Sequence, residues 1–280
     1  MTTLKLDASG GKHVGKVRQV NEDEFFLRVT HSSDADPVGL FIVADGMGGH
    51  AGGDIASRLT VRTISKQLRA LFTPPDPLQT VKFDTVRLEA EMRGEDTPTR
   101  VLGATKLRQM IEQAVLEANK VVLKTGRKKP LEAGDAGSTV TLAVVQGATA
   151  YIANVGDSRT YLFRDGQLKL ITQDHSLVGS MVEAGIIKQE EIYTHPQRNI
   201  IYRSLGNQQK LKVDLFQKRL QRGDRLLLCS DGLWEMVRDP EMAKIMQKAP
   251  NSEIACQQLI KTANANGGKD NIGVVIVSVA

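Results

Sequence analysis

Phe41-Ile42-Val43-Ala44-Asp45-Gly46-Met47-Gly48-Gly49-His50-Ala51-Gly52-Gly53 is an apolar run that ends in an aspartate and a glycine-rich loop. Two folds compete for such a stretch. Gly46, Gly48 and Ala51 fit G-x-G-x-x-[GA] between a strand and a helix, the pattern of a dinucleotide-binding unit. Two features count against that fold. Asp45 would set negative charge against a pyrophosphate, and Ile64 to Ala70, about 20 residues on, continues a helix where a strand ending in an acidic residue is needed. The glycines read better as a loop that lets a cation and a substrate approach backbone, with the Gly46 carbonyl as a donor.

Outward from this loop, Glu24 to Thr30 and Val38 to Ala44 read as strands, and Ile55, Leu59, Leu68 and Leu71 mark a helix stopped by Thr73-Pro74-Pro75-Asp76-Pro77. Residues 73–104 form a polar excursion, with one short helix expected over Val86 to Met92. Leu107, Met110, Ile111, Ala114, Val115, Ala118 and Val122 give an amphipathic helix, and Arg127-Lys128-Lys129 beyond it reads as a solvated loop. Short strands follow at Thr139 to Val145, Thr149 to Asn154, Arg159 to Arg164 and Leu168 to Thr172, with Asp165-Gly166 as a hairpin turn. His175 to Asn207 reads as polar and helical. Strands at Lys212 to Lys218 and Arg225 to Ser230, two short helices opening at Asp239-Pro240, and a buried strand from Ile272 to Val279 complete the chain. Strands outnumber helices without βαβ alternation, so the expected class is α+β: antiparallel sheet packed by helices.

The composition of this 280-residue chain, 41% hydrophobic and 25% charged, excludes a disordered or fibrous protein. Its 37 basic and 32 acidic residues leave a net charge of +5, dispersed along the chain, and aromatics are only 4%, so no nucleic-acid partner is expected. No apolar run approaches the roughly 18 residues of a membrane span. The opening MTTLKLDASGGKHVGK lacks the apolar core of a signal peptide, and Cys229 and Cys256 have neither framework nor metal spacing. The expectation is a cytoplasmic chain with buried, reduced thiols.

Four aspartates share one context. Asp45 follows GLFIVA, Asp157 follows YIANVG, Asp231 follows RLLLCS, and Asp270 stands just before the strand IGVVIV. Each can project from a strand end into a common mouth. Asp-Gly after a strand is also an ordinary turn; it is the recurrence that points to a site. Converging carboxylates repel unless a cation lies between them, and all-oxygen ligation suits Mg²⁺ or Mn²⁺. Arg18, in GKVRQVNED, offers paired donors that match two phosphate oxygens, or else an ion pair with Asp23. His50 is placed to supply a proton near neutral pH, or to stand as a plain surface side chain. With no Gly-x-Ser-x-Gly elbow, Cys/His pair or Walker lysine, the chemistry is metal-assisted hydrolysis without a covalent nucleophile.

Seven blocks in order, GKVRQVNED, FIVADGMGGHAGG, AGSTVTLAVV, YIANVGDSRTYLFRDGQL, TQDHSLV, LLLCSDGLWEMV and DNIGVVIV, resemble the bacterial branch of the metal-dependent type-2C (PPM) Ser/Thr protein phosphatases. The likeness runs from Gly15 to Val277. It implies one catalytic domain over residues 1–280, an α-β-β-α sandwich of two antiparallel β-sheets flanked by helices, with a flap at 176–207. It further implies two Mn²⁺ or Mg²⁺ ions, with a third more weakly held. In that scheme Asp45 bridges the two, the Gly46 carbonyl binds one, Asp231 and Asp270 complete the other, and Asp157 shares the third with Asp231. Arg18 would clamp the substrate phosphate, with Asp23 and Asn271 supporting the ligands from behind. A hydroxide held between metals would attack phosphorus directly, and the leaving alkoxide would take its proton from His50 or from water. Met47 stands where eukaryotic members carry histidine. The implied partners are proteins phosphorylated on Ser or Thr and, opposing this chain, a separately encoded Ser/Thr kinase; the implied state is a monomer. A catalytically silent phosphoprotein-binding or regulatory relative would have lost a ligand or the arginine, and here all are present.

Overall fold

A strand buried on both faces needs apolar side chains at every position, whereas a half-exposed one alternates. The runs LFIVA, LLLC and GVVIV are of the first kind, and the computed structural model, which describes residues 4–30, 37–48, 52–72, 102–128, 130 and 136–280, places them at the centre of two sheets. One sheet has the order β2 (Asp23–Val29), β3 (Val38–Met47), β5 (Val140–Gln146), β6 (Thr149–Val155), β9 (Asp214–Arg219), with β4 (Gly137–Ser138) pairing the end of β3. The other has the order β1 (Leu6–His13), β11 (Ile272–Val279), β10 (Arg225–Cys229), β7 (Arg159–Arg164), β8 (Gln167–Leu170). Every pairing is antiparallel.

Side-chain alternation along these strands builds three apolar layers. Leu40, Ile42, Leu142 and Val144 pack outward on α1 (Gly52–Gln67) and α2 (Ala104–Lys128) through Ile64, Ile111 and Val115. Their neighbours Phe41, Val43, Ala143 and Val145 point the other way, onto Leu226, Leu228, Val275 and Val277 of the second sheet. The second sheet's outer face, with Leu227 and Ile276, is covered by helices carrying Trp234, Met242 and Leu259. These are α4 (Asp231–Trp234), α5 (Asp239–Lys248) and α6 (Ser252–Ala265); α3 (Leu177–Glu183) opens the segment between the two sheets' last strands. The result is an α-β-β-α sandwich: antiparallel sheet packed by helices, as the strand-rich sequence predicts, in the layered form that the resemblance implies.

Register then sets the polar ends. Asp23 pairs with Asp45 across β2 and β3, and Cys229 pairs with Val274 across β10 and β11. Continuing that second ladder brings Asp231 and Asp270 to the same end of the sandwich. The Asp165-Gly166 hairpin forms with both residues at positive φ, 51° and 78°, the left-handed pair that a two-residue turn requires.

Several expectations are corrected. β3 runs through Asp45 to Met47 instead of ending at Ala44, because β4 continues its pairing at Gly46 and Met47. β1 was not expected as a strand: Gly10 and Gly11 break its apolar pattern, yet its whole length pairs with β11. His175 to Asn207 holds only α3 and a 3₁₀ turn, Gln189–Thr194. Arg127 and Lys128 are not loop residues but the last turn of α2, where basic side chains favour the negative end of the helix dipole. Of the expected excursion, residues 73–101 lie outside the described residues, as does the expected Val86 to Met92 helix. Both cysteines are free and buried. No helix among the described residues is long and apolar enough to cross a membrane.

Phe41 is fully buried between the sheets. Phe41→Ala should lower the unfolding free energy by about 3–5 kcal/mol, the usual cost of emptying a large aromatic site. Chemical denaturation would measure it, and a loss below about 1 kcal/mol would mean that the inter-sheet layer can collapse around the gap.

Candidate functional site

At the polar end of the two sheets lies a cleft of about 390 Å³ that gathers Arg18, Asp45, Gly46, Asp157, Asp231 and Asp270. Each aspartate arrives on a different element: Asp45 from β3, Asp157 from the turn leaving β6, Asp231 as the first residue of α4, and Asp270 from the turn entering β11. The glycines after Asp45 and Asp231 have a steric reason. A methyl group on Gly46 would overlap the carbonyl of Gly53, and one on Gly232 would overlap the carbonyl of Asn271. Close backbone approach at these points draws the Asp45 loop onto the start of α1 and the Asp231 loop onto the Asp270 turn.

A shell of hydrogen bonds fixes the frame. The Asn271 amide donates to the carbonyls of Val14 and Val20, both at 2.9 Å, and its oxygen accepts from the Glu22 N–H at 2.8 Å, so the loop carrying Arg18 is tied to β11. Ser230 donates to Asp23 Oδ2 at 2.6 Å and accepts from the Gly273 N–H at 2.8 Å, joining the two sheets. Thr139 Oγ1 accepts from the Asp45 N–H at 3.1 Å, while the Thr139 N–H donates to the Asp45 carbonyl at 2.8 Å. Trp234 Nε1 donates to the Asp157 carbonyl at 3.0 Å. Its indole ring lies 3.6 Å below the guanidinium of Arg159, which is itself buried and held by Asp174 at 3.0 and 2.7 Å.

Burial dominates the electrostatics of this end. Desolvation, and then the proximity of Asp174, pushes the Asp157 carboxyl up to about 7. Asp23 is likewise pushed up to about 7 by burial, partly offset by the Ser230 hydrogen bond and reinforced by Asp270. Asp45 and Asp231 stand well above the carboxylate range, first through burial and then through mutual repulsion with the other aspartates. Burial also raises Glu22 and Glu235. Such a group of acids favours protons or cations over water.

Among the described residues no three His, Cys, Asp or Glu side chains close into a ligand shell. Asp270 is turned to Arg18, with Oδ2 2.7 Å from Nη2. The donor set nonetheless fits a hard divalent cation: it is all oxygen, and Oδ1 of Asp157, Oδ1 of Asp23 and Oε1 of Glu22 are buried with no hydrogen-bond partner. His50 lies outside the described residues. Glu22, Arg198, Glu235 and Lys269 also line the cleft and were not anticipated. Glu22 had a sequence signal, since it stands beside Asp23 in the Arg18 block; Arg198 and Lys269 had none, because only the fold brings them to the mouth.

The family model for protein phosphatase 2C matches residues 10–261. The serine/threonine phosphatase stp of Listeria monocytogenes serotype 4b is 34% identical over 263 residues, covering 94% of this chain and 92% of that protein. Among solved structures, the Streptococcus agalactiae serine/threonine phosphatase superposes with a TM-score of 0.78 at 30% identity, covering 98% of this chain and 99% of that one. The catalytic domain of the phosphatase PstP in complex with two manganese ions has a TM-score of 0.75 at 29% identity and covers 99% of this chain and all of that one.

The raised carboxyls set a sign for stability against pH. Asp23 and Asp157 hold protons up to about pH 7 in the fold, against about 4 in an unfolded chain. Their contribution is therefore complete below about pH 4 and is lost as pH rises through 7. With divalent cations chelated, the denaturation midpoint should fall between pH 5.5 and pH 8, and Asp23→Asn should flatten that fall. A midpoint that climbs over this interval, or a slope unmoved by the substitution, would count against the assignment.

Proposed function

The chain belongs to the protein phosphatase 2C family, and on that footing we propose that it is a Mn²⁺- or Mg²⁺-dependent phosphatase of phosphoserine and phosphothreonine in proteins. The observation that carries this reading is the convergence of Asp45, Asp157, Asp231 and Asp270 with Arg18 in one cleft. Asp45, the Gly46 carbonyl, Asp231 and Asp270 would hold two ions, and Asp157 with Asp231 a third. Bound there, the ions supply a nucleophile at neutral pH by acidifying water, and they offset charge on the phosphoryl oxygens.

The chain's own residues do the rest. Arg18, about half exposed and steadied by Asp270, offers its guanidinium to two phosphoryl oxygens of the substrate. Asp23, bonded to Ser230 and paired in register with Asp45, buttresses Asp45 from behind, and Asn271 fixes the Arg18 loop. The nucleophile assigned here is water: the carboxylates that line the cleft are given to the ions, and among the described lining residues there is no hydroxyl, thiol or imidazole to attack phosphorus in its place. The proton for the leaving alkoxide is assigned to His50 or to water. The retention of every proposed ligand and of Arg18 favours this reading over a catalytically silent module of the same fold. The substrates follow as phosphoproteins, with a Ser/Thr kinase acting in opposition.

Hydrolysis of p-nitrophenyl phosphate and of a phosphothreonine peptide should appear with added Mn²⁺ and vanish with EDTA. Asp231→Asn should cost at least about 100-fold in kcat with an unchanged far-ultraviolet circular dichroism spectrum. Arg18→Ala should act mainly by raising KM for the phosphoester, by about tenfold. Turnover that survives EDTA, or an Asp231→Asn variant that works like the parent, would defeat the metal assignment.

A further inference from the structure

Among the described residues five large apolar side chains stand exposed: Val17 (65%), Val20 (51%), Ile186 (67%), Ile200 (47%) and Tyr202 (46%). A lone exposed valine or isoleucine is ordinary. These are not scattered. Val17 and Val20 flank Arg18, Ile200 and Tyr202 flank Ile201, and both Arg18 and Ile201 line the cleft. Ile186 stands apart from them, 14 residues before Ile200. Four of the five large exposed apolar side chains in the described surface thus lie within two residues of a residue that lines the cleft, a pattern that marks an interaction surface.

The two loops present these side chains on fixed backbone. On one, the Lys16 N–H donates to Gly268 at 2.7 Å and the Val20 carbonyl accepts from Asn271 at 2.9 Å. On the other, Ile200 accepts from the Leu177 N–H at 2.8 Å, and the Tyr202 N–H donates to His175 at 3.0 Å. Arg203 sits 5.9 Å from the Tyr202 ring centroid and is itself anchored to Asp214 at 3.0 Å. Backbone anchored on both sides of an apolar side chain keeps that side chain available at little further entropic cost on binding.

We propose that Val17, Val20, Ile200 and Tyr202 form a rim that receives apolar residues immediately flanking the phosphorylated serine or threonine of the substrate chain. This rests on the phosphatase reading above. Val17 adjoins Arg18 in the chain, and Arg18, Lys269 and Arg198, the last also 3.6 Å from Glu235, line the cleft and complement a phosphate dianion. An occupant that is apolar on either side of one concentrated negative charge matches that surface; a stretch of acidic or basic flanking residues would leave the rim's apolar area in water. The charge of the phosphate selects the centre and the flanking side chains select among phosphoproteins.

Two phosphothreonine peptides of equal length and net charge would test this, one with Val, Leu and Phe next to the phosphothreonine and the other with Ser, Asn and Gly there. With the full chain and Mn²⁺, the apolar peptide should be favoured about tenfold in kcat/KM, expressed mainly in KM. In Val17→Ser/Val20→Ser and in Ile200→Ser/Tyr202→Ser the ratio between the peptides should fall toward one. A parent ratio within about twofold of unity, or a ratio that neither double variant moves, would overturn the rim, as would a dimer in sedimentation abolished by the same substitutions, which would assign the surface to a second copy. Equal turnover of both peptides fails the rim alone. No turnover of either peptide or of p-nitrophenyl phosphate fails the phosphatase reading and the rim with it.

Discussion

The packing of Phe41, Val43, Ala143 and Val145 on Leu226, Leu228, Val275 and Val277 is what brings the carboxylates of two separate sheets into one cleft. Asp45 comes off the first sheet and Asp231 and Asp270 off the second, so neither sheet alone contains the centre. The apolar side chains that join them are fully buried, and their attraction is non-directional, worth about 25 cal/mol for each Å² of apolar surface withdrawn from water. It fixes the distance between the sheets but not their sliding register. Direction is added at the polar end, where Ser230 of the second sheet donates to Asp23 of the first. Because the central strands are covered on both faces, their ends are where chemistry-bearing side chains can emerge, and the glycines of the two Asp-Gly pairs let Asp45 close on the start of α1 and Asp231 on the Asp270 turn.

That arrangement opposes stability. Burying several carboxyls side by side raises their affinity for protons, and at neutral pH the fold must bear either their mutual repulsion or their protonation. The surroundings show how this is tolerated. The backbone at Asp45, at Asp157 and along the Arg18 loop is pinned by groups that do not themselves need to ionise: Thr139, the Trp234 indole and Asn271 in turn. Arg159, buried close by, pairs with Asp174 and stacks on Trp234, so it stiffens the support of Asp157 and offsets only part of the burial that raises its carboxyl. Buried carboxyls supported in this way favour a proton or a divalent cation over standing charged and alone.

Most of the sandwich was legible in the sequence because double-sided burial leaves unbroken apolar runs, and the four Asp positions could be picked out since each adjoins such a run. The failures have physical causes. β1 carries Gly10 and Gly11, and its stability comes from a ladder of pairs with β11 that no local pattern encodes. The stretch from His175 to Asn207 is rich in helix-forming residues, yet it is held by single contacts such as Leu177 to Ile200 and Leu205 to Ser138, which override propensity. Arg127 and Lys128 looked like a loop because charge runs usually are solvated, but they cap the dipole of a long helix. Arg198 and Lys269 carry no signal at all until the flap and the Asp270 turn are folded against each other.

Asp270 and Asn271 show how neighbouring residues of one turn divide chemistry from support. Asp270 reaches Arg18, and Asn271 reaches the backbone of Val14, Val20 and Glu22. The loop from Val14 to Glu22 is therefore registered to the cleft through its main chain, which no change of its exposed side chains removes. The Asn271 hydrogen bonds hold the main chain on either side of Arg18 without using the side chains at 17 and 20. A loop fixed in this way can vary its apolar side chains, and with them the proteins it admits, while the guanidinium that meets the phosphate stays where the carboxylates need it. The segment that holds Ile200 and Tyr202, anchored by Leu177, His175 and Arg203, is built in the same way. Specificity can then change at the rim with little cost to the centre, because the two share a backbone frame but not side chains.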